Sequence, residues 1–224
     1  MLKHETILLF DFETTGLDPN REQIIEIGAI RMEKLDGKYV ETGALDVLID
    51  VGAALPAKIT EITGITDAML KEKGVSPEEA AAMIHALYDE KALLVAYNLQ
   101  FDVSFLRALF RRYLDPSFDI KNDILDVMCV YKDLHPYPHR LSSALEHYAI
   151  PAERSHRAID DIRNTYRLLL RLSEVLKDDI GFYVNVIGFN PKYRVSGIML
   201  PHVSYVPQRG GLKEVWKNKK KIHP

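Results

Sequence analysis

The chain has 224 residues, 47% hydrophobic and 27% charged, enough for one well-cored domain with an appendage and ordinary for a globular protein. No apolar stretch approaches the roughly 20 residues of a membrane-spanning helix, and the short N-terminal apolar run is followed directly by acids, unlike a secretory leader. A single cysteine, Cys129, excludes an intrachain disulfide, so a soluble protein of the reducing cytoplasm, without a membrane partner, is expected.

Three strand-like runs come first, roughly Thr6–Phe12, Ile24–Met32 and Tyr39–Ile49. Asp36-Gly37 between the second and third is a hairpin signal, and Asp18-Pro19-Asn20 separates the first two, so the short links imply antiparallel neighbours. After Pro56 the pattern turns helical, with Ile59, Ile62 and Ile65 near a short Gly-containing turn. Ser76-Pro77-Glu78-Glu79 then opens a stronger helix, with Ser76 placed to cap it and Pro77 at its first position. Leu93–Ala96 reads as a short buried strand, Phe101–Tyr113 as a helix, Ile124–Val127 as another strand and Leu141–Tyr148 as a short helix. Ala158–Leu176 is the longest helix, with Ile159, Ile162, Tyr166, Leu169 and Leu170 recurring at three- and four-residue steps. Beyond it, Phe182–Phe189 and Val195–Tyr205 alternate apolar and polar residues around Asn190-Pro191, which predicts a β-hairpin-like extension.

An antiparallel opening followed by strand–helix alternation predicts an α/β fold, a mixed sheet flanked by helices. The expected division is one domain over residues 1–181 and a basic extension over 182–224. The net charge of −3 supports the division. Residues 182–224 hold eight Lys/Arg and one Glu, a net +7, which leaves −10 on residues 1–181.

In Ile7-Leu8-Leu9-Phe10-Asp11-Phe12-Glu13-Thr14-Thr15-Gly16-Leu17 two acids stand one residue apart in the first strand. Positions i and i+2 share a face, so both carboxylates leave a hydrophobic strand on one side, where like charges are costly without a cation between them. Hard oxygen ligands suit magnesium or manganese, which makes the pair read as half of a metal site. An isolated pair of this kind more often simply ends a strand at the solvent, and the rest of the chain has to decide. Asp102 falls in the first turn of the helix that follows Leu93–Ala96, where the helix dipole favours an anion and the turn faces the crevice in which α/β sheets bind ligands. Asp161 sits on the longest helix, whose apolar side points inward, while Asp160 lies about 100° round it. His156 lies just ahead of that helix.

Together these segments resemble the DEDDh family of 3′→5′ exonucleases, the group of the proofreading ε subunit of bacterial DNA polymerase III. Four elements carry the resemblance: Asp11-x-Glu13-Thr14-Thr15-Gly16-Leu17, Asn98-x-x-Phe101-Asp102-x-x-Phe105-Leu106, His156-x-Ala158-x-x-Asp161, and Ile24-Ile25-Glu26-Ile27-Gly28-Ala29. Thr63-Gly64-Ile65-Thr66 and Leu141–Ile150 also match, so the likeness covers roughly residues 5–176. Tyr97 departs from it, since many relatives carry histidine before the asparagine, and the tail after residue 181 lies outside it.

The resemblance implies a ribonuclease H-like exonuclease fold and two divalent ions, Mg²⁺ or Mn²⁺, clamping the attacking and leaving oxygens of a phosphodiester. It implies that Asp11 bridges the ions, that Glu13 and Asp161 complete the first site, and that Asp102 binds directly or through water. It makes His156 the general base, whose ordinary pKa of about 6.5 suits proton transfer near neutrality. Thr14, Thr15 and Gly16 would offer backbone amides to the terminal nucleotide and Leu17 would wedge against its base, with Phe12, Asn98 and Phe101 shaping the pocket. The implied partner is DNA with a free 3′ end, together with a possible polymerase; the basic tail, outside the resemblance, reads from its charge alone either as an electrostatic hold on the backbone or as a solvated terminus at Lys217 to Lys221. Two other readings stand beside this one: an exonuclease acting on RNA, and a non-catalytic module that binds nucleic-acid ends or a polymerase. The second is disfavoured because all five functional residues are present.

Overall fold

The computed structural model describes residues 2–152 and 157–218. Its strands are β1 (Thr6–Thr14), β2 (Ile24–Leu35), β3 (Lys38–Leu48), β4 (Leu93–Ala96), β5 (Ile124–Asp126), β6 (Val186–Phe189) and β7 (Ser204–Pro207). Its helices are α1 (Ala57–Thr63), α2 (Asp67–Lys73), α3 (Pro77–Leu87), α4 (Leu99–Tyr113), α5 (Val127–Leu134), α6 (Leu141–His147) and α7 (Ala158–Leu176). Among the described residues no helix is long and apolar enough to cross a membrane.

The five-stranded sheet has the order β3-β2-β1-β4-β5, antiparallel through β1 and parallel across β4 and β5. Asp36 and Gly37 adopt φ of 49° and 78°, the two left-handed positions that a two-residue hairpin turn requires, and Leu35 accordingly pairs with Lys38. On one side of β1, Leu8, Phe10 and Phe12 pack in a core with residues of α3 and α4. On the other, Ile7 and Leu9 pack in a second core with residues of α5 and α7. Ser76 caps α3 as expected. Its Oγ accepts the Glu79 N–H at 3.2 Å, while the Glu79 carboxylate accepts the Ser76 N–H at 2.9 Å. Leu170, counted in the apolar stripe of α7, is instead exposed.

Helix α5 has no counterpart in the sequence reading. It begins at the residue after β5, and Asp126 ends the strand and caps the helix at once, accepting the Met128 N–H at 3.0 Å.

The C-terminal extension corrects another expectation. Strands β6 and β7 pair in parallel, Val186 opposite Ser204 and Phe189 opposite Pro207, and so do not form a hairpin. Parallel neighbours require a crossover, and residues 190–203 supply it. Asn190 does start a turn, its carbonyl accepting the Tyr193 and Arg194 N–H groups, but the chain then runs across α4. Gln100 Nε2 donates to the Ser196 carbonyl at 2.9 Å and the Ile198 N–H donates to Ser104 Oγ at 3.2 Å, before Ser204 returns beside Asn185. The extension contributes to both cores, Ile187, Leu200 and Val203 to one and Val186, Val206 and Val215 to the other. Asp133 on α5 is fully buried and fastens it, accepting the Tyr183 hydroxyl at 2.9 Å and the Val215 and Trp216 N–H groups at 2.7 and 3.0 Å. The Trp216 ring packs edge-on to Phe182, with centroids 5.1 Å apart.

Candidate active site

The β1 face that buries Ile7 and Leu9 continues to Asp11 and Glu13, as strand alternation dictates. What brings α7 over these two acids lies on β2. Glu26, directly opposite Glu13 in the register, is fully buried and accepts the Arg157 Nε–H at 2.7 Å and the Ala158 N–H at 3.2 Å. Two residues along the same face, a Cβ on Gly28 would lie 2.6 Å from both the Ala158 carbonyl carbon and the Ile159 nitrogen. A glycine there lets the first turn of α7 seat against the strand, and Glu26 ties it down. Asp161 then stands over the end of β1. One carboxylate oxygen from each of Asp11, Glu13 and Asp161 lies within 4.8 Å of the other two, and all three residues are half-buried. Asp160 is not part of this group.

Asp102 approaches from α4. Strand β1 pairs with β4 only from Ile7 to Leu9, and beyond that the Phe12 N–H is taken by Asp102 Oδ1 at 3.2 Å. Asp102 is buried and is not one of the three clustered acids, yet the Asp11 charge is felt at its carboxyl.

The electrostatics are unfavourable to the ionised forms of Asp11, Glu13 and Asp102. Burial first, then Glu13, Asp161 and Glu26, holds the Asp11 carboxyl well above the usual range. Burial, then Glu26 and Asp161, pushes Glu13 up to about 7. Burial and Asp11 raise Asp102, with the Phe12 amide opposing them in part. Carboxylates in this arrangement stay ionised together only when a cation neutralises them, and a set of hard oxygen donors fits a divalent ion.

The remaining expected residues surround this group. Thr14 is buried, its hydroxyl donating to the Gly16 carbonyl at 2.6 Å. The Thr15 hydroxyl donates to Glu22 Oε2 at 2.6 Å and accepts the Gln23 N–H at 3.0 Å, so the turn after β1 is fixed and presents Leu17, 85% exposed. Asn98 is exposed at a left-handed φ of 71°, its N–H donating to the buried Asp126 at 3.1 Å. Phe101 is half-buried, its ring 4.8 Å from that of Phe105. Phe12 differs from expectation. As an even-numbered position of β1 it points away from the acids, its side chain buried 5.5 Å from Phe10, and only its backbone borders the site. His156 lies outside the described residues. Sequence reasoning quoted Glu26 and Gly28 in a matched segment without giving either a task, and the available signal was an acid inside an otherwise apolar strand.

The profile of the exonuclease family RNase_T matches residues 8–169. Curated relatives include the PolC-type DNA polymerase III of Thermotoga petrophila, 34% identical over 176 residues, which are 78% of this chain and 12% of that protein. The PolC-type DNA polymerase III of Streptococcus thermophilus is 35% identical over 225 residues, 96% of this chain and 15% of that protein. The chain thus spans only 12–15% of the length of these relatives. Among solved structures, exonuclease I superposes with a TM-score of 0.68 at 21% identity, over 79% of this chain and 42% of that one. Escherichia coli exonuclease I in complex with a dA16 oligonucleotide gives 0.66 at 22% identity, with the same coverage. Likeness at these identities speaks for the fold, a mixed α/β sheet of the ribonuclease H-like exonuclease type.

Proposed function

The chain belongs to the DnaQ-like exonuclease family of metal-dependent nucleases, and we propose that it removes nucleoside 5′-monophosphates from the 3′ end of DNA, single-stranded or frayed. The observation that carries this reading is the convergence of Asp11, Glu13 and Asp161 on one point, where burial and the neighbouring acids raise the carboxyls of Asp11 and Glu13. These three, with Asp102, would hold two Mg²⁺ or Mn²⁺ ions, Asp11 being shared between them. Such ions, when bound, supply Lewis-acid stabilisation of the charge on the attacking and leaving oxygens. His156 would take the proton of the attacking water. The backbone of Thr14, Thr15 and Gly16 would receive the terminal nucleotide, the exposed Leu17 would lie against its base, and Asn98 and Phe101 would shape the pocket.

DNA is favoured over RNA by the company the chain keeps: exonuclease I has been solved with dA16 and dT13, and the curated relatives are DNA polymerases. A polymerase partner fits the same context. Residues 1–181 would form the catalytic unit and 182–224 the extension, whose described part, through residue 218, packs on it.

The test uses 5′-labelled single-stranded DNA and RNA of one sequence with Mg²⁺ or Mn²⁺, an EDTA control and Asp11→Ala. A metal-dependent ladder shrinking from the 3′ end, faster on DNA and absent in the variant, is expected. A ladder on RNA alone would move the substrate to RNA, and no ladder from folded protein would remove the catalytic reading.

A further inference from the structure

A groove of about 800 Å³ opens between the Leu17–Asn20 loop and α4, and Gly197 and Ile198 of the segment that crosses α4 form its third wall. The α4 wall carries Arg107, Arg111 and Arg112. Arg107 and Arg111 share one carboxylate, Asp119, at 2.8 and 3.8 Å, while Arg112 is exposed and makes no ion pair among the described residues. Asp119 and Asp115, the latter also feeling the Arg111 charge, stand against these three guanidinium groups, which leaves the wall with a positive surplus centred on Arg112 within a region whose net charge is −10. Asp18 on the facing lip does not cancel this surplus, because Arg21 sits 3.6 Å from it.

The third wall is a built feature. Gln100 and Ser104, both buried, hold the Ser196 carbonyl and the Ile198 amide. Between them Gly197 adopts φ 79°, where a Cβ would come within 2.2 Å of Ser104 Oγ, so the segment rests directly on the helix. The groove also begins at the active-site turn. Leu17 lines it and is four residues beyond Glu13, a separation of at most about 14 Å along the chain.

We propose that this groove holds the phosphate backbone of the single strand leading in the 5′ direction from the nucleotide at the carboxylates. The proposal rests on the reading of Asp11, Glu13 and Asp161 as the site of hydrolysis. Guanidinium groups along a trough, with an exposed apolar side chain at its mouth, grip phosphates and bases without selecting a sequence. An acidic domain needs such a local reversal of sign to attract a polyanion near its own carboxylates.

The test measures the affinity of the full chain for 5′-fluorescein-labelled (dT)20 by anisotropy in EDTA over a salt series, for wild type, Arg112→Glu and Arg112→Lys. In Arg112→Glu the Kd should rise at least about fivefold and the slope of log affinity against log salt should fall by about one, whereas Arg112→Lys stays near wild type. An unchanged Kd and slope in Arg112→Glu overturns the groove. Hydrolysis of the 4-nitrophenyl ester of thymidine 5′-monophosphate in Mn²⁺, which reaches only the catalytic site, reports on the other reading. Arg112→Glu should cleave it at the wild-type rate, and a parallel loss of ester hydrolysis would overturn the groove by moving Arg112 into the site. Wild-type protein that binds (dT)20 but hydrolyses neither ester nor strand would overturn the catalytic reading, and with it the assigned direction of the strand.

Discussion

Asp133 and Asp11 are both acids on apolar elements, 122 positions apart in the chain, and the protein treats them in opposite ways. Asp133 is fully buried and saturated by a tyrosine hydroxyl and two backbone amides. Glu26 and Asp126 follow the same rule, the first receiving Arg157 and the Ala158 amide, the second the amides of Asn98 and Met128. At Asp11 and Glu13, no hydrogen-bond donor among the described residues reaches the side-chain oxygens, and the charged neighbours that raise their carboxyls are all acids. Donors that fill an acid's lone pairs make it part of the scaffold. An acid surrounded by acids is unfinished until a cation arrives.

The comparison breaks first at Asp11. Asp11→Asn keeps the shape and removes the charge, and turnover should fall more than about a hundredfold. The variant's melting temperature in EDTA should match or exceed that of the wild type, because repulsion from Glu13, Asp161 and Glu26 is relieved. Retention of more than about a tenth of the turnover would remove Asp11 from the metal site. Asp133→Ala should behave in the opposite way. It leaves the Tyr183 hydroxyl, the buried Val215 amide and the part-buried Trp216 amide without an acceptor, at about 1–3 kcal/mol for each buried group, so urea unfolding should show a loss of about 3 kcal/mol. Turnover well below the melting point should be unchanged, and a large kinetic defect in the folded variant would show that α5 is not merely scaffold.

A pH series sharpens the contrast. Glu13 has its folded pKa raised to about 7 from an ordinary 4.5, so the folded state holds its proton more tightly than the unfolded one. Its contribution to stability is complete below about pH 4.5 and is lost as pH rises through about 7. Metal-free protein should therefore melt at a lower temperature at about pH 8 than at about pH 5.5, and Mn²⁺ should raise the melting point most at the higher pH. A melting point in EDTA that climbs steadily between those two values would contradict the description of Asp11 and Glu13 as repelling acids.

Much of this was legible because the signals are local. The shared face of Asp11 and Glu13 follows from the two-residue period of a strand, and the Asp36-Gly37 turn follows from the left-handed backbone those residues accept. The task of Glu26 was not legible, since its partner Arg157 stands 131 residues away and only the folded sheet brings them together. The parallel pairing of β6 and β7 escaped for the same reason. Alternation around Asn190-Pro191 suggests a hairpin, but Gln100, 96 residues earlier, draws the crossover over α4. Helix α5 escaped for a different reason: one residue, Asp126, serves as the end of a strand and the cap of a helix, leaving no turn signal between them.

The smallest expected effect concerns a third kind of acid. Glu79 is fully exposed, and its carboxyl is held below the usual range by the Ser76 amide and hydroxyl that donate to it. Nothing distant contributes, which is why the capping box could be read from four consecutive residues. Ser76→Ala removes the acceptor of the Glu79 N–H and should cost about 1 kcal/mol in chemical denaturation. Turnover should not change, because α3 packs on the sheet face of Leu8 and Phe10, opposite the one that carries Asp11 and Glu13. A kinetic defect in Ser76→Ala with little loss of stability would mean that the two faces of β1 communicate, and the division between scaffold acids and site acids would have to be redrawn.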